Sequence, residues 1–273
     1  MSFRRLGREL VELREWLGAA LYRHAGRPLP PRRDRLARSW RAFDRDTLLA
    51  TPVNDARIVV LDTETTGMQP FGGDTLVEIA LVEYTGLRPT GRELTSLIHP
   101  GRHIPSESTA IHGLADADVV DAPSLERILD DILEFLDGAL IVGHHVGFDL
   151  RFLNRAALRH VHHRLPNPAL NTMVLFQAWS GKRGLFGLDE VADACGIPVS
   201  ERHNARGDAL VCGEIFAWLA THLTEGTATV GDLLAISPPD PRYGPHYSRP
   251  LAGTRHVPDA DGHHVDTRDT NGD

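Results

Sequence analysis

The chain has a single lysine, Lys182, among its 273 residues. Its other strong bases are all arginine, a bias of composition that carries no functional reading. It has two cysteines, Cys195 and Cys212, at a spacing that suits neither a redox pair nor a metal site. Both fall in apolar helical patterns and read as buried thiols of a reducing compartment. No apolar stretch approaches the length of a membrane span. The charged N-terminus lacks a signal-peptide core, so the expected location is the cytoplasm, with no membrane partner. Internal repeats are also missing. Positive charge is not in excess: the formal net charge is −8. That argues against a protein that coats duplex nucleic acid through a broad basic surface. It leaves open an enzyme whose positive charge comes from metal ions. The length is enough for one well-buried domain with additional segments.

The stretch on which the chain turns is Val59-Val60-Leu61-Asp62-Thr63-Glu64-Thr65-Thr66-Gly67. Its aliphatic start reads as a buried strand. Alternate strand residues share a face, so Asp62 and Glu64 point the same way. Two carboxylates at the end of a buried strand repel each other and lose hydration. A divalent cation between them removes both costs. From these residues alone, a solvated Asp-x-Glu on a strand end is an equal reading.

Two further clusters weigh against that alternative. Gly143-His144-His145-Val146-Gly147-Phe148-Asp149 follows an aliphatic run, and His203-Asn204-Ala205-Arg206-Gly207-Asp208-Ala209 opens a late helix. Asp149 in the first turn of a helix is stabilised by the helix dipole, which alone could explain it. Together, Asp-x-Glu followed by Thr-Gly, then Phe-Asp, then His-x4-Asp, in this order, resemble the DEDDh group of DnaQ-like 3′–5′ exonucleases. This is the family of the proofreading subunits of bacterial replicative polymerases. The resemblance spans about 57–223.

The resemblance implies an α/β, ribonuclease H-like fold with a mixed five-stranded sheet flanked by helices. It implies that Asp62, Glu64, Asp149 and Asp208 hold two ions, Mg²⁺ or Mn²⁺, and that His203 is the general base. Thr65, Thr66 and Gly67 would hold the last nucleotide of the substrate. His112, in Ile111-His112-Gly113-Leu114, would lie by the terminal nucleotide, and His145 stands where the proofreading enzymes have Asn. The residues are chemically apt on their own account. Oxygen donors suit both metals, and imidazole exchanges protons near neutral pH. The implied reaction is stepwise hydrolysis from the 3′ end of single-stranded DNA, releasing nucleoside 5′-monophosphates, in proofreading or repair. Trimming of RNA 3′ ends is the alternative, since a metal site that acts on the phosphodiester does not select the sugar. A non-catalytic nucleic-acid or partner-binding module is the alternative of another class.

The remaining periodicity predicts the frame. An amphipathic helix carries Phe3, Leu6, Leu10, Leu13, Leu17 and Ala20 as a heptad-like stripe. It packs on the protein's own core or serves a partner or self-association. A second helix is expected over 34–49, with Leu36, Trp40 and Phe43 on one face. Its arginines either hold phosphates or form a solvated basic face. Strands are expected over 57–64, 75–84, 92–98 and 139–142, the second and third joined at Gly86 and Gly91, and a short strand and turn over 166–172. Helices are expected over 123–136, 148–158, 188–195 and 205–223. Asn171 stands where the family has Asp, so a lost hydrogen bond or charge is expected there. The Gln-led clamp-binding peptide of the polymerase subunits is absent, since Gln69 and Gln177 are the only glutamines. The expected organisation is an Arg-rich helical extension over 1–50, the exonuclease domain over 51–237, and a disordered Pro-, His- and Gly-rich tail over 238–273.

Overall fold

The computed structural model describes residues 29–199, 202–224 and 228–237. The Phe3 to Ala20 stripe and the tail after Ser237 lie outside the described residues. Five strands form one mixed sheet: β1 (Arg57–Thr65), β2 (Leu76–Thr85), β3 (Arg88–Leu97), β4 (Leu140–Gly143) and β5 (Ala169–Asn171). Their order is β3-β2-β1-β4-β5. The β1–β2–β3 pairings are antiparallel, and β4 and β5 run parallel to β1. This is the mixed five-stranded sheet that the sequence led us to expect.

The helices in chain order are α1 (Pro31–Arg41), α2 (Arg45–Ala50), α3 (Ser106–His112), α4 (Asp116–Val119), α5 (Leu125–Leu136), α6 (Gly147–His160), α7 (Thr172–Ser180), α8 (Leu188–Ala194), α9 (Ala205–Leu223) and α10 (Val230–Ile236). None among the described residues is long and apolar enough to cross a membrane.

Strand β1 is buried on both faces because each is covered by helices. Ile58 and Val60 enter one core with residues of α7, α8, α9 and α10. Val59 and Leu61 enter the other with α1, α5 and α6. Each fully buried aliphatic side chain contributes about 1.5–3 kcal/mol. The same alternation sends Asp62 and Glu64 towards the α9 side and Thr63 and Thr65 towards the α6 side. At its start β1 is fixed by Arg57. Its guanidinium pairs with Glu83 (2.7 Å) and donates to the carbonyls of Asp137 (2.8 Å) and Phe135 (2.6 Å) at the end of α5.

Three details differ from the sequence expectation. The segment 34–49 is two helices, not one. Asp44 caps α2 by accepting from the Thr47 amide at 3.0 Å, and this local bond competes with continuation of α1. The break divides the expected apolar face: Leu36 and Trp40 enter the α5–α6 core, while Phe43 packs on the opposite one. Gly91 is inside β3, not at its end. With φ +82° it lies opposite a register shift between Val82 and Tyr84, so it marks a bulge. Gly86 alone makes the turn, at φ +59°, where a Cβ would lie 2.4 Å from the Asn54 carbonyl oxygen. Helices α3, α4, α7 and α10 were not anticipated.

Two of the arginines of α1 have acidic partners on α5. Arg32 pairs with Asp131 (2.5 Å) and Glu134 (2.7 Å), and Arg33 with Asp130 (3.3 Å), so α1 is docked on the acidic side of α5.

Candidate active site

Strand β1 and helix α9 build the centre of the site. Asp62 and Glu64 leave the tip of β1 on one face, and Asp208 joins them from the first turn of α9. One carboxylate oxygen from each lies within 4.8 Å of the others. Helix α9 is brought there by its own start. Asn204 caps it by accepting from the Gly207 amide (2.8 Å), and Glu78 of β2 accepts from the Ala205 amide (3.0 Å). Glu78 is also the cross-strand partner of Glu64.

Asp149 reaches the same strand tip from the other side of the sheet. It is 3% exposed and accepts a hydrogen bond from the Thr63 hydroxyl at 2.5 Å. It lies outside the three-oxygen cluster but close enough for its charge to act on Asp62.

The electrostatics follow from this crowding. Burial, then the charges of Asp149, Asp208 and Glu64, push the Asp62 carboxyl well above the carboxylate range. Burial, then Asp208, Glu78 and Asp149, push Glu64 up to about 8. Burial raises Asp149 to about 7, while the Thr63 hydrogen bond opposes the rise. Such a set of hard oxygen donors, destabilised as anions, fits a divalent cation of the Mg²⁺ or Mn²⁺ type.

The basic residue nearest this cluster is Arg202, not His203. The Arg202 guanidinium is ion-paired with Asp208 and also with Asp189 at the start of α8. His203 is exposed, with φ +61°, at the rim. Nothing in the sequence beyond adjacency to His203 pointed to Arg202.

The turn after β1 is tightly specified. The Thr66 hydroxyl accepts from the Thr75 amide (3.0 Å), and the Thr65 hydroxyl donates to the Gly67 carbonyl (2.9 Å). The Asp74 carboxylate packs on Gly67 so closely that a Cβ there would lie 2.5 Å from Asp74 Oδ2. Arg102 holds Asp74 at 3.1 Å. His112 is buried beside the Thr65 backbone, accepts from the Leu114 amide at 3.1 Å, and has its pKa lowered chiefly by burial.

His145 adopts φ +57° and donates its amide to Asn171 Oδ1 at 3.0 Å. The same oxygen accepts from the Met173 amide (3.0 Å) and so caps α7. Of the hydrogen bond or charge expected to be lost at Asn171, the charge is what its side chain lacks, while its Oδ1 accepts two backbone hydrogen bonds. His144, which the sequence did not single out, braces the position. Its ring bonds the Thr172 hydroxyl and the Phe186 carbonyl, both at 2.9 Å, and burial lowers it to about 4.

Residues 59–216 match the family model described as an exonuclease (RNase T). A DNA polymerase III subunit epsilon-like protein of Rhodobacter capsulatus is 38% identical over 191 residues, covering 68% of this chain and 27% of that protein. The DNA polymerase III subunit epsilon of Rickettsia felis is 31% identical over 174 residues, covering 61% of this chain and 75% of that one. Among solved structures, Exonuclease X in complex with 5′-overhanging duplex DNA superposes with a TM-score of 0.51 at 22% identity, covering 64% of this chain and 98% of that one. That likeness agrees with the ribonuclease H-like fold.

Proposed function

The chain belongs to the DnaQ-like 3′–5′ exonuclease family, and from that membership we propose that it hydrolyses the 3′ ends of single-stranded DNA in a divalent-metal-dependent reaction, releasing nucleoside 5′-monophosphates. One observation carries the reading: oxygens of Asp62, Glu64 and Asp208, from two separate elements, converge within 4.8 Å. Mg²⁺ or Mn²⁺ ions bound there supply polarisation of the attacking water and neutralisation of charge on the phosphate.

The roles of the side chains follow. Asp62, Glu64 and Asp208 would hold the metal, and Asp149 would support Asp62 from the α6 side. Thr63 keeps Asp149 available as a carboxylate. His203, exposed at the rim, takes the proton of the attacking water; the P–O3′ bond breaks and the departing 3′-oxygen is protonated from solvent. The turn of Thr65, Thr66 and Gly67 positions the terminal nucleotide, with His112 behind Thr65 and His145 contributing from the turn before α6. The relatives named as polymerase III epsilon subunits favour DNA as the substrate and a proofreading or repair setting.

The test is a gel assay with 5′-labelled single strands of DNA and RNA of one sequence, with Mg²⁺, with Mn²⁺ and with chelator. We expect a ladder that shortens from the 3′ end on DNA, disappears in chelator, and is slowed about a thousandfold or more in Asp62→Asn. A well-folded protein that shortens neither strand with either metal would overturn the proposal, and a ladder on RNA alone would reassign the substrate.

A further inference from the structure

We propose that Arg202 is the internal counter-ion of the carboxylate cluster: without metal its guanidinium joins Asp208 to Asp189, and it releases Asp208 while keeping Asp189 when a divalent cation binds. The inference rests on the metal-site reading above and adds a residue which that reading does not use. The geometry is asymmetric in the way such an exchange needs. The guanidinium bridges an inner and an outer carboxylate, Asp208 with 12% side-chain exposure and Asp189 with 62%. Its Nε and Nη2 already donate to the two oxygens of Asp189, the latter at 3.2 Å, and only Nη1 reaches Asp208. The bridging arm itself is 21% exposed, so its charge is only partly screened.

Asp208 is also one of the three residues whose oxygens converge. A cation drawn to that cluster therefore meets a carboxylate whose charge is already engaged. Burying several carboxylates without a counter-charge is costly, and a planar fork with donors along its edges can satisfy two of them at once. Arg202 supplies that positive charge, and its field opposes the mutual repulsion felt by Asp62 and Glu64. The same engagement sets a threshold. The ion must displace the guanidinium, so its affinity is weaker than the bare carboxylates would give. Asp189 lowers the threshold by offering the displaced guanidinium a partner on the solvent side.

This account assigns opposite signs to the two partners of one side chain. The experiment is calorimetric titration of Mn²⁺ into the chelator-treated full chain, as wild type, Arg202→Gln, Asp189→Asn and the double variant. Melting in chelator and with Mn²⁺ is measured in parallel. Arg202→Gln is expected to bind Mn²⁺ about tenfold tighter, to melt lower in chelator at pH 8, and to gain more from Mn²⁺. Asp189→Asn is expected to bind a few-fold more weakly, and only while Arg202 is present, so that the double variant matches Arg202→Gln. A merely structural arginine would lower melting with and without metal and leave the affinity alone.

Unchanged or weaker binding by a natively folded Arg202→Gln would overturn the proposal. So would an Asp189→Asn effect that persists in the Arg202→Gln background. Should Arg202→Gln fail to fold, Arg202→Met with Asp189→Asn decides the matter. Methionine keeps an unbranched stem and removes the charge, so Arg202→Met must bind Mn²⁺ more tightly than wild type or the idea fails. Absence of Mn²⁺ uptake by every variant would instead refute the metal-site reading along with this one, whereas uptake by wild type with no change on substitution refutes only the counter-ion.

Discussion

Replacing Glu64 by glutamine should stabilise the metal-free protein at alkaline pH while removing a metal ligand. Glu64 lies beside Asp208, Glu78 and Asp149, and burial together with their charges lifts its carboxyl from the ordinary 4.5 to about 8. Below pH 4.5 the group is protonated in the folded and unfolded chain alike, and it costs nothing. Between 4.5 and about 8 the unfolded chain releases the proton and the folded chain keeps it. The folded state binds more protons there, so stability falls as pH rises, and the loss is complete above the folded value. At about 1.36 kcal/mol per pH unit, the ceiling is about 5 kcal/mol. Glu64 is partly exposed, and Asp62 and Asp208 share its repulsion, which brings the expected gain in Glu64→Gln to about 2–3 kcal/mol. For a domain of this size that is a rise in melting temperature of about 5–10 °C. The assay is thermal melting in chelator at pH 8 and at pH 5, repeated with Mg²⁺. The variant should melt higher than wild type at pH 8, nearly equal to it at pH 5, and respond less to Mg²⁺. A variant that melts no higher than wild type at pH 8 in chelator would refute the reasoning, as would a gain of equal size at both pH values.

Thr63→Val keeps the shape of the side chain and removes the hydroxyl bonded to Asp149 at 2.5 Å. That bond holds the Asp149 carboxyl down against burial, and the group already sits at about 7, so the acid limb of the pH–activity profile should move to higher pH. Hydrolysis lost at pH 7 should be partly recovered near pH 9; a profile that falls without shifting would assign Thr63 to packing alone. Trp40→Ala opens the core between α1 and α5, where Trp40 is 5% exposed, and should cost about 3–5 kcal/mol in urea unfolding. A cost under about 1 kcal/mol would mean that α1 is not integral to the domain.

The last point bears on how the chain is to be divided. Deleting everything before Thr51 would separate a docking segment from the catalytic domain only if that segment were peripheral. Leu36 and Trp40 fill one core and Leu48 the other, so the deletion would uncover both. A cut ahead of Pro31 avoids this.

The site was legible in the sequence where chemistry and period coincide. Asp62 and Glu64 were readable because a two-residue repeat puts them on one strand face, and Asp208 because, with His203, it resembles the family's His-x4-Asp motif. What could not be read depends on partners distant in the chain. Glu78 faces Glu64 only through the β1–β2 register, and the role of Asn171 appears only once His145 and Met173 point their amides at it. Arg202 is one residue from a recognised motif position, and periodicity has no way to say which of two neighbours turns inward. The break before α2 was missed for a different reason. Leu36, Trp40 and Phe43 have helical spacing, and the Asp44 cap that interrupts them is a local competition that spacing does not register.

Arg57 lies at the opposite end of β1 from the carboxylates, yet it bears on them. Ile58, Val59, Val60 and Leu61 are all fully buried, with aliphatic residues on both sides of the sheet. A strand greasy on both faces can slide by one position with little offence to either core. Such a slip would exchange the parity of its tip, sending Thr63 and Thr65 to the α9 layer and the acids to the α6 layer. The hydrophobic effect is thus nearly indifferent to an error that would abolish the chemistry. The fork of Arg57 on Glu83 and on two carbonyls at the end of α5 is directional and is not indifferent. It works as a zero mark from which the strand is counted, so that five residues later an acid, and not a hydroxyl, arrives opposite Asp208.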